Sequence, residues 1–249
     1  MITFCIVHYN TPELTTCLCS SIIKNHSDAK IIIFDNSDKF PFTNIELFNI
    51  TYYDNTKGKI IDFNKELLKY PNRDIEDQTQ SGCNFGSAKH SMSIDWLCKN
   101  VNENFILMDS DILLLKPIDF IDENFICCSD IVNVCKNVDR IRPMITYINV
   151  KKMKENKISF FDGKRMHALC KRNSSRFWFY DTGASFYEDV KKINLFKRIF
   201  AKDYIVHYGK GSWRSVKNNN TGGKNIDGKC YENISYQMWL LKYKSLWKY

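Results

Sequence analysis

Two carboxylates, Asp109 and Asp111, interrupt the apolar stretch NFILMDSDILLLKP between Asn104 and Pro117. Phe105, Ile106, Leu107, Met108, Leu113 and Leu114 suit a buried strand, where a charge costs several kcal/mol unless it is paired or metal-bound. Their i, i+2 spacing lets both carboxylates converge on one cation if the backbone turns there. Oxygen ligands suit Mg²⁺ or Mn²⁺, which keep positions open for water and substrate phosphates. The same pair also suits a turn capping a hairpin, and for D-x-D by itself both readings stay open. Three more residues invite chemistry. Asp35 closes the apolar run AKIIIFDNS, Asp181 follows the aromatic stretch RFWFY, and His207 ends an apolar run followed by Gly209, Gly211 and Ser212. Those small residues permit close backbone approach to an anion. Each also has a plainer role: a strand-end turn for Asp35, an N-cap or turn before Thr182-Gly183 for Asp181, and a satisfied core or surface histidine for His207.

The elements that must position these residues alternate. ITFCIVH (2–8) reads as a buried strand ended by YNTP, and PELTTCLCSSIIKNH as a helix with Pro12 in its first turn. AKIIIFDNS (29–37) and NITYYDN (49–55) read as strands, and IIDFNKELLKY (60–70) as a helix. SAKHSMSIDWLCKN reads as a helix capped by Ser87 that leads into the strand bearing Asp109. Strand and helix in alternation predict an α/β fold with a mostly parallel sheet flanked by helices. In such sheets ligands bind outside the carboxyl ends of the strands, where Asp109 and Asp111 fall. Further on, apolar runs at 125–135 and 143–150 suggest antiparallel strands. DVKKINLFKRIF (189–200) reads as an amphipathic helix, DYIVHYG (203–209) as a strand, and SVKNNNTGGKNIDG (215–228) as a mobile Gly/Asn-rich loop. No internal repeat or linker is evident, so one domain is expected over 1–249, with a first half to about residue 115 and a second half from about 116.

Composition narrows the class. With 249 residues and 44% apolar content the chain can bury a sizeable core. The net charge of +8 suits anionic partners, but the basic residues are scattered and no nucleic-acid motif occurs, so nucleic acid is not an expected partner. The ten cysteines show no C-x-x-C pair and no leader precedes ITFCIVHY, which points to core thiols in a reducing, cytoplasmic setting. No run of 18 apolar residues is present. GKNIDGKC (223–230) nearly matches a P-loop but ends in Cys230 and follows no apolar strand, so it reads as a loop or acceptor-side lid.

Taken in order, the motifs resemble nucleotide-sugar glycosyltransferases of the GT-A fold, most of all the inverting family 2. IVHYNTPELTTCLCSSI is similar to that family's opening strand, loop and helix, and IIIFDNS to its second strand, whose final Asp contacts the nucleotide base. GCNFGSAKH (82–90) is similar to the segment approaching the sugar diphosphate, MDSDILLL to the D-x-D metal motif, YDTGASF (180–186) to an acceptor-side segment, and IVHYGKGSW (205–213) to a late His segment. The resemblance covers about residues 1–213. It implies a GT-A-like, Rossmann-type sheet with a smaller antiparallel acceptor-side part in the second half. It also implies a nucleotide-sugar donor, a glycan or lipid-linked acceptor, and Mn²⁺ or Mg²⁺. Donor contacts fall on Asn10, Thr11, Asp35, Gly86, Lys89, Asp109 and Asp111, with His90, Lys210 and Arg214 as weaker candidates. Metal contacts fall on Asp109, Asp111 and His207, with Asp111 the direct ligand. Acceptor contacts fall on Trp178, Tyr180 and Trp213, and the catalytic base on Asp181.

Such a transfer breaks a C1–O bond to a nucleoside diphosphate, and a divalent cation stabilises the charge developing on the leaving group. With inversion, a carboxylate takes the acceptor proton, which is the part assigned to Asp181. IVHYGKGSW is also similar to the late His-Gly-Trp segment of the retaining family 8, for which no such base is needed. A sugar nucleotidyltransferase would carry a Gly-rich basic loop after the first strand, where YNTPELTT stands instead. Finally, YQMWLLKYKSLWKY reads either as a helix packed on the domain or as a peripheral membrane contact through Trp239, Tyr243, Trp247, Tyr249 and its lysines.

Overall fold

The computed structural model describes residues 1–69, 83–135, 138–163, 169–172, 176–179, 182–208 and 236–248. In chain order the elements are β1 (Thr3–His8), α1 (Pro12–Asn25), β2 (Lys30–Asp35), β3 (Thr51–Asp54), α2 (Phe63–Leu68), α3 (Cys83–Asn100), β4 (Phe105–Asp109) and β5 (Ile112–Leu114). They continue with β6 (Cys127–Cys135), β7 (Val138–Ile148), α4 (Val150–Glu155), β8 (Leu169–Arg172), β9 (Arg176–Phe179), α5 (Ala184–Lys192), β10 (Phe196–Arg198), β11 (Ile205–His207), α6 (Tyr236–Lys242) and α7 (Lys244–Trp247). The chain forms two compact units, one of Met1–Lys59, Phe105–Phe120 and Phe200–Tyr249, the other of Ile60–Asn104 and Ile121–Ile199.

The first unit is the parallel part of the α/β fold. β1 pairs in parallel with β4 on one side and β2 on the other, and β2 pairs in parallel with β3. All six residues of β1 are buried, as a strand covered on both faces requires, which is why its sequence is an almost unbroken apolar run. Pro12 opens α1, where the missing N–H costs nothing. The helix is fastened to β5 by side-chain hydrogen bonds. The Leu114 N–H donates to Ser21 Oγ (3.0 Å), and Asn25 Nδ2 donates to the Leu114 carbonyl (3.2 Å). β5 pairs antiparallel with β11. Beyond it, α6 and α7 close the unit: Trp239 is fully buried with Leu14, Cys17, Leu113, Val206 and Tyr208, and Tyr243, Leu246 and Trp247 pack against them. The membrane reading of the C-terminus thus loses Trp239, the aromatic it placed first, because its ring is a core side chain here. Tyr249 lies outside the described residues.

The second unit carries the antiparallel part. β6 and β7 form a long antiparallel pair with two register shifts, β10 adds to β6 in parallel, and β8 pairs antiparallel with β9. Buried aromatic rings hold it, among them the stacked pair Phe160 and Phe186 (4.1 Å between centroids). Asp95 on α3 accepts the Phe160 and Phe161 N–H groups (2.7 and 2.8 Å), and burial pushes its carboxyl up to about 7. Gly183, at φ +86°, precedes α5. A Cβ there would lie 2.6 Å from Ile141 Cγ1 and 3.0 Å from the Ile141 carbonyl oxygen, so no side chain fits this turn.

Three expected boundaries move. The helix expected to start at Ser87 begins at Cys83, with Ser87 buried inside its second turn. The helix expected over 60–70 shortens to Phe63–Leu68. The helix expected over 189–200 does not exist as one element. α5 runs 184–192, Asn194 takes a left-handed φ of 54°, and Phe196–Arg198 become a strand because β6 offers its edge to their backbone. The strands expected around 125–135 and 143–150 form as β6 and β7. The six cysteines described as free thiols are all buried, and burial pushes the Cys17 thiol up to about 12. No described helix is long and apolar enough to cross a membrane.

Candidate metal and donor site

Asp109 is the last residue of β4, Asp111 immediately precedes β5, and Ser110 lies between them. The chain therefore does not run straight through DSD: it leaves the parallel ladder on β1 and turns into the antiparallel ladder on β11. That turn aims both carboxylates to one place. It is held on two sides. Thr11 Oγ1 donates to Ser110 Oγ (2.9 Å), and the Tyr208 N–H donates to the Asp111 carbonyl (2.9 Å). Because β11 pairs with β5 at His207 and Ile112, the imidazole, 96 residues later in the chain, reaches the turn. His207 Nε2 lies 2.9 Å from Asp111 Oδ1, both side chains being almost enclosed. One donor atom from each of Asp109, Asp111 and His207 falls within a 4.8 Å span.

This donor set fits a divalent cation. Two carboxylates and one imidazole supply two negative charges, suited to a hard or borderline ion such as Mg²⁺ or Mn²⁺. Asp111 is buried and Asp109 partly so, and a cation would offset the repulsion between two carboxylates so close together.

A second constellation lies at the carboxyl ends of β1 and β2 in the same unit. Asp35 is fully buried, and three donors meet its oxygens: the Ser37 N–H (2.8 Å), the Phe42 N–H (2.8 Å) and the Tyr52 hydroxyl (2.7 Å). Burial and that hydrogen bond to Asp35 push the Tyr52 hydroxyl well above its ordinary range. Asn10, at a left-handed φ of 55°, accepts the Lys39 and Phe40 N–H groups on Oδ1 (3.1 and 2.9 Å) and donates to Asp38, and its own N–H donates to Ser37 Oγ (2.9 Å). The bond from Asn10 holds the Asp38 carboxyl below the usual carboxylate range. His8 completes the clamp. Its Nε2 faces the Phe40 carbonyl (3.3 Å) and its Nδ1 the Thr15 hydroxyl (2.8 Å). Burial lowers its pKa, so the ring is neutral; a carbonyl can only accept, so the proton is on Nε2.

The expected site residues thus separate. Asp109, Asp111 and His207 are brought together, and Thr11 touches the residue between the two aspartates. Asn10 and Asp35 meet loop 37–42 rather than the carboxylates. Gly86, Lys89 and His90 lie on α3 of the second unit, with Lys89 Nζ 5.7 Å from the centre of the Phe63 ring. Trp178 is paired through its backbone with Cys170. Tyr180, Asp181, Lys210, Trp213, Arg214 and the 215–228 loop lie outside the described residues. Sequence reasoning passed over Ser110, which was visible inside DSD, and His8, which looked like one more residue of an apolar strand.

No family model and no curated protein sequence matches this chain. Among solved structures, the apo form of the bifunctional glycosyltransferase WbbM shares 11% identity over 98% of this chain and 44% of its own, with a TM-score of 0.51. The galactosyltransferase LgtC, in complex with donor and acceptor sugar analogues, shares 10% identity over 81% of this chain and 74% of its own, with a TM-score of 0.42. The glycosyltransferase GlyE of Streptococcus pneumoniae TIGR4 shares 11% identity over 81% of this chain and 46% of its own, with a TM-score of 0.45. The likeness to WbbM establishes a common fold, and the present chain spans less than half of that protein.

Proposed function

We propose that this protein is a metal-dependent glycosyltransferase that moves a sugar from a nucleotide-sugar donor to a hydroxyl of a glycan or lipid-linked acceptor. The observation that carries this reading is the convergence of Asp109, Asp111 and His207 at the carboxyl end of β4, in a fold shared with WbbM. Asp109, Asp111 and His207 would hold Mn²⁺ or Mg²⁺, which when bound would stabilise the negative charge developing on the departing nucleoside diphosphate. The chain's own residues hold this arrangement in place. Thr11 and Tyr208 fix the DSD turn from both sides, and His207 lies against Asp111. Gly86 and Lys89 are proposed donor contacts, Trp178, Tyr180 and Trp213 acceptor contacts, and the whole chain one glycosyltransferase domain.

Two stereochemical courses fit this site. Inversion would use Asp181 as the base on the acceptor hydroxyl, as the family 2 resemblance implies. Retention is supported by the similarity of the segment bearing His207 to the late His-Gly-Trp segment of family 8, while the contact of His207 with Asp111 fits either course. The anomeric proton of the product, followed by NMR during transfer, distinguishes them; a retained configuration removes the need for a base at Asp181.

A lipid-linked acceptor and peripheral membrane contact are supported by Met238 and Leu241, 58% and 63% exposed, beside the exposed Lys242, Lys244 and Lys248. Flotation with anionic liposomes is the expected outcome, and protein remaining at the bottom of the gradient would refute that part.

The class itself is tested by thermal shift against UDP-, GDP-, dTDP- and CMP-sugars, with and without Mn²⁺. At about 100 times its dissociation constant, a specific donor should add about 2.7 kcal/mol, or about 5–11 °C for a chain of this size, and only with the metal present. A flat response to all four donors would sink the reading.

A further inference from the structure

The expected contact of Asp35 with the donor's base is joined by a structural role, because its hydrogen bonds tie down the loop that follows it. Both carboxylate oxygens are occupied by loop 37–42 and Tyr52, and the residue is fully buried. What Asp35 holds in place is therefore more informative than Asp35 itself. The loop presents one large apolar side chain outward: the Phe40 ring is 48% exposed.

A single exposed phenylalanine is ordinary on a protein surface. This one differs in how its backbone is secured. Its N–H donates to Asn10 Oδ1 (2.9 Å) and its carbonyl accepts from His8 Nε2 (3.3 Å), with both partners buried. Two residues on, Phe42 is packed inside at 2% exposure and its N–H is taken by Asp35. An outward ring on a pinned backbone has already lost the loop entropy that binding would otherwise cost.

Its position suits a ligand of defined chemistry. The loop caps the carboxyl ends of β1 and β2, where open α/β sheets bind nucleotides. It is also joined to the candidate metal turn by a short chain of contacts. Asn10, which holds the Phe40 N–H, is followed by Thr11, whose hydroxyl meets Ser110 between the two aspartates. Two hydrogen bonds and one peptide step make a path on the order of 10–15 Å, within reach of an extended nucleoside diphosphate with its phosphates at the carboxylates.

We infer that Phe40 is the stacking platform for the donor's nucleobase. The inference rests on the glycosyltransferase reading and adds to it an affinity-bearing residue outside the metal site. A ring face accepts any base, so Phe40 supplies affinity, and the choice among bases lies with the groups around it.

The test is isothermal titration of the wild type, Phe40→Ala and Phe40→Trp with UDP, GDP, dTDP and CMP in the presence of Mn²⁺, and with inorganic pyrophosphate plus Mn²⁺ as control. Phe40→Ala should weaken binding of the nucleotide that the wild type takes by about 5–150-fold. Phe40→Trp should restore it to within about threefold, and pyrophosphate should bind all three proteins alike. Equal nucleotide binding by wild type and Phe40→Ala would overturn the role of Phe40 and leave the glycosyltransferase reading standing. Pyrophosphate weakened in parallel would overturn it too, as a mere loop defect. A wild type that binds none of the nucleotides would overturn both.

Discussion

Replacing Asp111 with asparagine is expected to lower sugar transfer by about 10³-fold or more and to abolish the Mn²⁺-dependent thermal shift. The side chain is almost enclosed, contacts His207 at 2.9 Å, and lies within the 4.8 Å cluster with Asp109. Asparagine keeps the size and still offers an oxygen to His207 Nε2. The bond from the Tyr208 N–H to the residue-111 carbonyl is a backbone bond and survives. What disappears is one negative charge and a strong ligand. Folding should therefore be nearly unchanged without metal: the melting temperature of the apo variant should equal or slightly exceed that of the wild type, because two neighbouring carboxylates become one. Activity and the metal-dependent shift are read on the same samples. An Asp111→Asn protein that keeps its rate at saturating Mn²⁺ would remove this residue from the mechanism and leave the carboxylate pair as a turn feature.

The second large effect concerns stability. Trp239→Ala should cost about 3–5 kcal/mol, as truncation of a fully buried aromatic does. In a chain of this length that lowers the melting temperature by about 6–20 °C. The ring lies 5.5 Å from Tyr208 and 5.4 Å from Tyr243, centroid to centroid, and closes a cluster that includes Leu14 and Cys17 of α1 and Leu113 of β5. Trp239→Phe should cost far less. It leaves a smaller void and removes an indole N–H that finds no hydrogen-bond partner among the described residues. Because Leu113 and Tyr208 flank the DSD turn and His207 in sequence, the alanine variant should also bind Mn²⁺ less tightly. Thermal melts that leave Trp239→Ala level with the wild type would mean that α6 and α7 are not part of the folded unit.

These two effects show where local reading succeeds and where it stops. Asp109 and Asp111 stood out because charge inside an apolar run has to be explained. Their placement after a strand was read correctly, since NFILM has the unbroken apolar character of a strand buried on both faces. The family resemblance placed His207 with the two aspartates as a metal contact, but no local pattern indicated that its ring would meet Asp111. Their contact depends on antiparallel pairing of β5 with β11, and although 203–209 reads as a strand, nothing local says which strand it pairs with. Asp35 was legible as a strand-end carboxylate, whereas the three donors that enclose it come from residues 37, 42 and 52.

The same contrast accounts for the elements that moved. DVKKINLFKRIF has helical spacing throughout, yet its second half joins β6, because open backbone groups on that edge outweigh a weak helical preference. YQMWLLKYKSLWKY had two consistent faces, and only the groove formed by Leu14, Cys17, Leu113 and Val206 decided that Trp239 turns inward. The sequence by itself determined the alternation of strands and helices, the carboxylates at the end of β4, and the class of ion they suit, because period and charge are local properties. The tertiary structure alone decided how His207 reaches them, which side chains clamp loop 37–42, and which aromatic residues face the core. Those outcomes depend on hydrogen bonds and packing between segments tens of residues apart in the chain, which no local pattern records.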